Sequence, residues 1–419
     1  MAKKFQGSIF VAPDKSISHR GVMLGSPAKG VTQIENYLTG EDCISTVNCF
    51  RALGVDIKIS GTSVTVYGTG NLKQPSAVLN TGNSGTTTRL MAGLLSGYPI
   101  HTVLSGDESL NKRPMKRIIT PLSLMGADIQ AKEGNFCPLT IKGKEKLKAI
   151  SYELPVASAQ LKSALILAGL HGDGVTTIIE KEKSRDHTEN MLRAMGANIK
   201  TEEKIIKVSP IETLSPMELT VPGDISSAAF FIVGALITKG SELLLKNVGM
   251  NPTRTGLLTV LKDMGANIQE ENKRVVCGEP VCDLLVTSSD LKATTVSGEI
   301  IPALIDEIPI LAVAAACAEG TTVIFDAKEL RVKETDRITA ICRMLETAGV
   351  PYEEFEDGFS VTGTDHIKGG VFESYGDHRM AMSEQILSLM SQEEFVIKDK
   401  DCVAISFPDF WELLERVTK

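Results

Sequence analysis

The sequence predicts an α/β protein with two domains, each made of three copies of one repeated unit. Two signals recur along its 419 residues, and a pair of similar passages marks the points where the chain changes domain. Self-similarity at a fixed period of about 70 residues indicates one supersecondary unit repeated along the chain. Six such units exceed what a single core of ordinary size accommodates, so we infer two domains of three units.

The first recurring signal is a glycine preceded by apolar residues. Five strings carry it: ALGVDI (52–57), MGADI (125–129), MGANI (195–199), MGANI (264–268) and AGVPY (348–352). Apolar residues occupy the positions one and four residues before each glycine. These two positions are three residues apart, so both side chains lie on one helix face. We therefore expect each helix to end with its glycine at the C′ position and a strand to follow.

The second signal is a polar cluster that opens a run of small and apolar residues. It occurs six times, as KSISHR (15–20), NSGTTTRL (83–90), SAQLKSAL (158–165), DISSAAFF (224–231), DEIPILAV (306–313) and DHRMAMS (377–383). Ser, Asn and Asp at such positions are N-cap residues, because their side chains accept hydrogen bonds from the first turn. Alternating Thr, Val, Ile and Leu then predict strands in GVTQIENY (30–37), GVTTIIEK (174–181), GSELLLKN (240–247) and GTTVIFDA (320–327).

Two similar passages, VAPDKSIS (11–18) and VPGDISS (221–227), stand before the first and fourth copies. Each contains a proline, and we interpret them as the two segments in which the chain crosses between domains. The alternative is a pair of unrelated loops that look alike. The predicted domains are residues 1–13 plus 226–419, and residues 14–225.

Composition excludes several classes of protein. The 44 basic and 52 acidic residues give a net charge of −8, so we expect no nucleic-acid partner. Eight cysteines form no C-x-x-C pair and H-E-x-x-H is absent, so we expect reduced thiols in a cytoplasmic protein without a metal or other cofactor. The longest apolar runs, 228–237 and 308–318, fall short of the ~18 residues of a membrane span, so we expect core helices and no membrane partner. No secretory signal follows the first lysines.

Basic residues nevertheless gather at one end of the repeated unit. They lie at the starts of the first helices and in the loops after the following strands: Lys15, Arg20, Arg89, Arg379, and the segments 106–115, 180–191 and 328–338. If the helices that begin at the polar clusters point their N-termini toward the gap between domains, their free N–H groups and the arginine guanidinium groups there form an anion-binding site. Ordinary helix caps and a solvated charged face are the alternative interpretation, and the recurrence in register favours the anion site.

This pattern indicates an enzyme that closes on a substrate with at least two anionic groups. Carboxylates beside the basic residues, Asp306 and Glu334, are candidates for acid–base catalysis, and Lys15 can donate a proton as well as bind. Neither the P-loop motif nor the G-x-S-x-G nucleophile elbow occurs in the sequence.

The chain closely resembles the EPSP synthase family of enolpyruvyl transferases. The matching motifs run in family order over nearly the whole chain: PDKSISHR, NSGTTTRL, KRPM, SAQLKSA, DEIP, RVKETDRI, GDHRMAM and SFPDFW. The resemblance implies an inverse α/β barrel-like fold of two domains, each with three βαβαββ units, that close on ligand. It also implies transfer of the enolpyruvyl group of phosphoenolpyruvate to the 5-hydroxyl of shikimate 3-phosphate through a tetrahedral intermediate, with release of phosphate, by the enzyme class that glyphosate targets.

The resemblance also assigns roles to residues of this chain. The shikimate 3-phosphate ligands it implies are Lys15, Ser16, Arg20, Ser158, Gln160, Arg185, Asp306 and Lys333. Those for phosphoenolpyruvate are Lys15, Gly85, Arg113, Gln160, Arg337 and Arg379. Asp306 is implied as the base for the 5-hydroxyl, Glu334 as the carbon proton carrier and Lys15 as a further catalytic group. We expect these two small molecules as the partners of a monomer.

Two departures from the family pattern stand out. Ala159 lies where many members have a second serine, and Ile405 lies where many have a lysine before the TFPD-like string, so the response to glyphosate stays open. One alternative function is UDP-N-acetylglucosamine enolpyruvyl transferase, whose catalytic cysteine has no counterpart between Gly106 and Met115. A silent anion-binding scaffold is the other alternative, and the intact acid–base residues oppose it.

Overall fold

The computed structural model describes residues 4–276 and 278–418. The chain forms two compact units. The N-unit consists of Pro13–Val221 with Val276–Glu279, and the C-unit consists of Met1–Ala12, Pro222–Val275 and Pro280–Lys419. The chain therefore passes from the C-unit to the N-unit after Ala12, returns after Val221 and contributes residues 276–279 to the N-unit once more.

Among the residues that the structure describes, the N-unit contains three four-stranded sheets and the helices that connect their strands. Its helices are α1 (Lys15–Gly25), α2 (Glu41–Ala52), α3 (Gly85–Leu95), α4 (Glu108–Asn111), α5 (Lys116–Leu124), α6 (Ala159–Gly169) and α7 (His187–Ala194). Its strands are β2 (Lys29–Glu35), β3 (Asp56–Ser60), β4 (Ser63–Thr69), β5 (Leu79–Asn80), β6 (His101–Ser105), β7 (Asp128–Lys132), β8 (Phe136–Lys142), β9 (Ser151–Glu153), β10 (Thr176–Ile179), β11 (Ile199–Glu202), β12 (Ile205–Val208) and β13 (Glu218–Thr220).

The described part of the C-unit contains two four-stranded sheets and one two-stranded sheet. Its strands are β1 (Gln6–Phe10), β14 (Glu242–Gly249), β15 (Asn267–Val276), β16 (Glu279–Thr287), β17 (Thr295–Val296), β18 (Thr321–Ile324), β19 (Tyr352–Glu354), β20 (Phe359–Thr362), β21 (Gly370–Glu373) and β22 (Phe395–Lys398). Its helices are α8 (Ile225–Ile237), α9 (Gly256–Asp263), α10 (Ile308–Ala316), α11 (Arg337–Thr347), α12 (His378–Ser388) and α13 (Phe410–Val417), with 3₁₀ turns at Gly298–Ala303, Lys328–Val332 and Lys400–Ile405.

All four-stranded sheets share one topology, which confirms the predicted repeat. One edge strand pairs in parallel with its neighbour, and the other two strands form an antiparallel hairpin, as in the order β5-β6-β8-β7. In the first copy of each unit, a strand distant in sequence is this parallel partner: β13 pairs with β2, and β1 pairs with β14. In the described part of the sixth copy, only the parallel pair β21 and β22 forms, followed by α13. The sequence likewise has five glycine corners and six polar clusters.

The five predicted glycine corners are confirmed. Five helices each end two residues before a glycine: α2, α5, α7, α9 and α11. A strand begins two or three residues after each of these glycines. All five glycines have positive φ, from 68° at Gly349 to 94° at Gly265. A side chain is strained in that left-handed conformation, which is why glycine occupies it.

The polar clusters begin six helices, as predicted, and five of these are capped by a side chain. Asp14, Ser84, Ser158, Asp224 and Asp377 accept a hydrogen bond from the first turn of α1, α3, α6, α8 and α12. The sixth helix, α10, begins at Ile308 after Glu307, whose side chain does not cap the helix and accepts a hydrogen bond from the Ser226 hydroxyl.

The two apolar runs form the core helices α8 and α10, in which every residue is buried. Among the described residues, no helix has the length and apolar character needed to cross a bilayer.

Candidate active site

In the N-unit, the first turn of α1 carries a lysine held by an aspartate of α2. Lys15 Nζ lies 3.2 Å from Asp42 Oδ2, and both side chains are largely buried. Burial first, and then the positive charges of Lys15 and Arg20, hold the pKa of His19 well below its usual value. The imidazole is therefore neutral at neutral pH, mainly because it is buried and secondly because two cations lie near it.

A pair of arginines lies against the first residue of α3. A Cβ atom placed on Gly85 would lie 2.7 Å from Arg89 Nη1 and 3.6 Å from Arg113 Nη1. Both guanidinium groups are thus close to the first turn of the helix, where unpaired N–H groups carry partial positive charge. This combination is suited to a phosphate or carboxylate group, because the arginine forks and the backbone N–H groups all donate.

Both arginines are held by neighbouring polar groups. Arg89 Nη1 donates to Gln160 Oε1 at 2.8 Å, and Gln160 Nε2 donates to Thr86 Oγ1 at 3.1 Å. Arg113 Nη2 donates to Asn83 Oδ1 at 2.6 Å. The structure therefore joins Gly85, Arg113 and Gln160, predicted from three separate motifs, in one cluster with Arg89.

Arg20 is 4% exposed and connects three helices of the N-unit. Its Nε donates to Thr188 Oγ1 of α7 at 2.7 Å, its Nη2 to Ser163 Oγ of α6 at 3.0 Å, and its Nη1 to the Ser16 carbonyl of α1 at 2.9 Å. Arg20 thus ties α1 to α6 and α7. Ser158 caps α6, and the half-buried Arg185 lies two residues before the start of α7.

In the C-unit, the buried guanidinium group of Arg337 joins three carboxylates. It donates from Nη1 to Asp306 Oδ1 at 3.2 Å, from Nη2 to Glu334 Oε2 at 2.7 Å and from Nε to Asp377 Oδ2 at 2.7 Å. Burial opposes the charge of Arg337, but the carboxylates of Asp377, Glu334 and Asp306 outweigh it and raise the pKa of the guanidinium. Lys333 Nζ lies 3.3 Å from Asp306 Oδ1 and adds a second cation to the cluster.

This C-unit cluster is held in place from both sides. Arg331 Nη1 donates to Asp336 Oδ2 and Glu354 Oε1, both at 3.0 Å, and so anchors the segment that carries Lys333 and Glu334. Arg379 Nη1 donates to the Asp306 carbonyl oxygen at 3.1 Å. The predicted residues Asp306, Lys333, Glu334, Arg337 and Arg379 therefore lie in one network, although they come from three motifs.

Sequence reasoning missed three contributors to these clusters. Asp42 holds Lys15, Asp377 holds Arg337, and Glu307 lies 3.6 Å from Arg379 Nη1 through its Oε1. Asp377 is the first residue of DHRMAMS and was interpreted only as a helix cap, which it also is. For Asp42, an acidic residue in the first turn of a helix is so common that the sequence carries no specific signal.

Within residues 4–276 and 278–418, no group of three or more His, Cys, Asp or Glu side chains is arranged to hold a metal ion.

The chain is similar to known proteins over its full length. Residues 1–414 match the family model described as EPSP synthase (3-phosphoshikimate 1-carboxyvinyltransferase). The 3-phosphoshikimate 1-carboxyvinyltransferase of Thermoanaerobacter sp. (strain X514) is 51% identical over 415 residues, which cover 99% of this chain and 98% of the relative. The protein of the same name from Oceanobacillus iheyensis is 50% identical over 416 residues, with 99% and 97% of the two chains covered.

Solved structures give the same result. The structure of EPSP synthase from Acinetobacter baumannii superposes with a TM-score of 0.90 at 45% identity, covering 100% of this chain and 97% of that one. The enolpyruvyl transferase NikO from Streptomyces tendae superposes with a TM-score of 0.80 at 16% identity, covering 99% and 96%, and shows a shared fold.

Proposed function

Because this chain belongs to the EPSP synthase family, the 3-phosphoshikimate 1-carboxyvinyltransferases, we propose that its two charged clusters bind and convert the substrates of that reaction. The reaction transfers the enolpyruvyl group of phosphoenolpyruvate to the 5-hydroxyl of shikimate 3-phosphate. The 5-oxygen bonds to C2 of phosphoenolpyruvate while C3 gains a proton. Loss of phosphate from C2 and of a proton from C3 then restores the double bond.

In the N-unit, Gly85, Arg113 and Gln160 bind phosphoenolpyruvate together with Lys15. The close approach of Arg89 and Arg113 to Gly85 supports this role, because an anion there meets two guanidinium groups and a helix N-terminus. Shikimate 3-phosphate is bound by Lys15, Gln160 and the group Ser16, Arg20, Ser158 and Arg185. The hydrogen bonds of Arg20 to α6 and α7 support its place in this group, because Ser158 caps α6 and Arg185 lies two residues before the start of α7.

In the C-unit, Asp306 accepts the proton of the 5-hydroxyl and Glu334 carries the proton to and from C3. Both carboxylates are hydrogen-bonded to Arg337, which fixes their positions for proton transfer. Lys333 binds shikimate 3-phosphate beside Asp306, while Arg337 and Arg379 bind phosphoenolpyruvate.

The observation that carries this proposal is that the buried Arg337 forms ion pairs with both predicted acid–base carboxylates, Asp306 and Glu334. The test is to incubate the protein with shikimate 3-phosphate and phosphoenolpyruvate, with and without a chelator, and to measure phosphate. We expect stoichiometric phosphate release in both conditions. No turnover with both substrates present would refute the assignment.

The same assay with UDP-N-acetylglucosamine as acceptor tests the alternative enolpyruvyl transfer. We expect no phosphate release, because the segment 106–115 lacks the cysteine on which that reaction depends in the related transferases. Omitting either substrate is the control for hydrolysis of phosphoenolpyruvate.

We further propose that the protein acts as a cytoplasmic monomer on these two small molecules, without a cofactor, nucleic acid or membrane. Sedimentation velocity at micromolar concentration tests this, since a dimer would sediment measurably faster.

A further inference from the structure

A buried ion cluster lies in the N-unit apart from the groups described above. The Lys162 ammonium of α6 is 3.1 Å from Glu180 Oε2 and 2.8 Å from Glu189 Oε1, and all three side chains are at most 4% exposed. Removing three charged groups from water is costly even when they are paired, and apolar packing would stabilise the fold as well. The cluster therefore calls for a role other than stability.

The cluster forms hydrogen bonds to both the backbone N–H and the backbone carbonyl of one residue, Ser184. Lys162 Nζ donates to the Ser184 carbonyl oxygen at 2.9 Å. Glu180 Oε1 accepts from the Ser184 backbone N–H at 3.0 Å and from the Ser184 hydroxyl. The segment from Glu180 to the start of α7 contains no helix or strand, so these side chains supply the hydrogen bonds that secondary structure would otherwise provide.

The residue that follows Ser184 is Arg185. The Ser184 carbonyl and the Arg185 nitrogen belong to one planar peptide group. The hydrogen bond from Lys162 to that carbonyl therefore fixes the orientation of the peptide plane that leads into Arg185. We propose that Lys162 and Glu180 are positioning residues that hold Ser184 and thereby present Arg185 to the phosphate of shikimate 3-phosphate. This inference rests on the proposed function, in which Arg185 binds that substrate.

The test is Lys162→Met, which keeps an unbranched side chain and removes the ammonium. Three measurements are made: the dissociation constant of shikimate 3-phosphate by calorimetry, kcat at saturating substrates, and amide hydrogen exchange of residues 181–187 in the ligand-free protein. We expect shikimate 3-phosphate to bind about 10- to 100-fold more weakly, the scale of a misplaced binding group, with kcat changed less than about threefold. Exchange in 181–187 should accelerate about tenfold or more, and Lys162→Arg should restore both properties.

A matched control separates positioning from general loss of stability. Leu167 lies on another face of α6 and is fully buried, so Leu167→Ala loosens the same helix without touching Ser184. We expect Leu167→Ala to lower the melting temperature while leaving shikimate 3-phosphate affinity and exchange in 181–187 unchanged. Equal effects of Lys162→Met and Leu167→Ala on these two readouts would overturn the proposal.

If Lys162→Met does not fold, Glu180→Gln decides, since it keeps the side-chain size and leaves the Lys162–Glu189 pair intact. It should weaken substrate binding and accelerate exchange in 181–187, and wild-type values for both would overturn the proposal. The exchange readout needs no ligand. A wild-type protein that neither binds shikimate 3-phosphate nor releases phosphate would refute the proposed function, whereas exchange still decides whether Lys162 and Glu180 hold Ser184.

Discussion

Glu384 makes the stability of the C-unit depend on pH. Its side chain lies on α12 and is 1% exposed, and among the described residues its Oε2 atom has no hydrogen-bond partner. Burial first, and then the charges of Glu373 and Asp377, raise the pKa of this carboxyl to about 8. Glu384 is therefore protonated in the folded protein at neutral pH.

The size of the effect follows from the difference between the folded and unfolded states. The folded pKa of about 8 lies above the usual value of 4.5, which applies in the unfolded state. Between these values the folded state holds a proton that the unfolded state has lost, so stability falls as pH rises, by about 1.4 kcal/mol per pH unit. The full loss between pH 4.5 and 8 is on the order of 5 kcal/mol. Glu384→Gln, which cannot ionise, should abolish it.

Urea unfolding at several pH values between 5 and 9 measures this loss. The single tryptophan of the chain, Trp411, lies on α13 of the same unit and reports its unfolding by fluorescence. We expect the free energy of unfolding of Glu384→Gln to exceed that of the wild type increasingly as pH rises. Glu415→Gln, which changes an exposed glutamate of α13, is the control and should follow the wild type. Parallel profiles of Glu384→Gln and the wild type would refute the reasoning.

Three further predictions concern the two clusters and a second titrating group. Asp306→Ala should lower phosphate release at least ~100-fold, the usual contribution of an acid–base residue, and retained activity would assign the base elsewhere. Gly85→Ala should raise KM for phosphoenolpyruvate, because the new methyl group would lie 2.7 Å from Arg89 Nη1 and displace it, and an unchanged KM in steady-state assays would contradict that geometry. Burial lowers the pKa of His171 to about 4 in the folded protein, whereas the usual histidine pKa of 6.5 applies in the unfolded state. As pH falls below 6.5, the unfolded state therefore binds a proton before the folded state does. Stability should therefore drop by about 3 kcal/mol between pH 6.5 and 4, and urea unfolding of His171→Gln should show a flatter profile.

The repeat was readable from the sequence because its signals are local. A glycine at a helix C′ position needs a left-handed backbone, and a polar residue before a small-residue run caps a helix, so each appears at a fixed place in every copy. The parallel partners of the first sheet in each unit could not be predicted from local signals. That β13 pairs with β2, and β1 with β14, depends on contacts between residues far apart in sequence.

The chemistry of the site was partly readable for a similar reason. The resemblance supplied Gly85, Arg113, Asp306 and Glu334 from motifs, but their partners came from elsewhere in the chain. Asp377 lies 40 residues from Arg337, and no spacing rule predicts that its carboxylate holds that arginine while also capping α12.

By itself, the sequence determined the fold class, the repeat, the helix starts and stops and the family, because these depend on residue type and spacing along the chain. Only the tertiary structure decided which charges meet. It placed Arg337 among three carboxylates, Gly85 beside two arginines, and Lys162 against Ser184. The physical reason is that an ion pair or hydrogen bond forms over about 3 Å, and only the packed fold brings groups from distant segments within that distance.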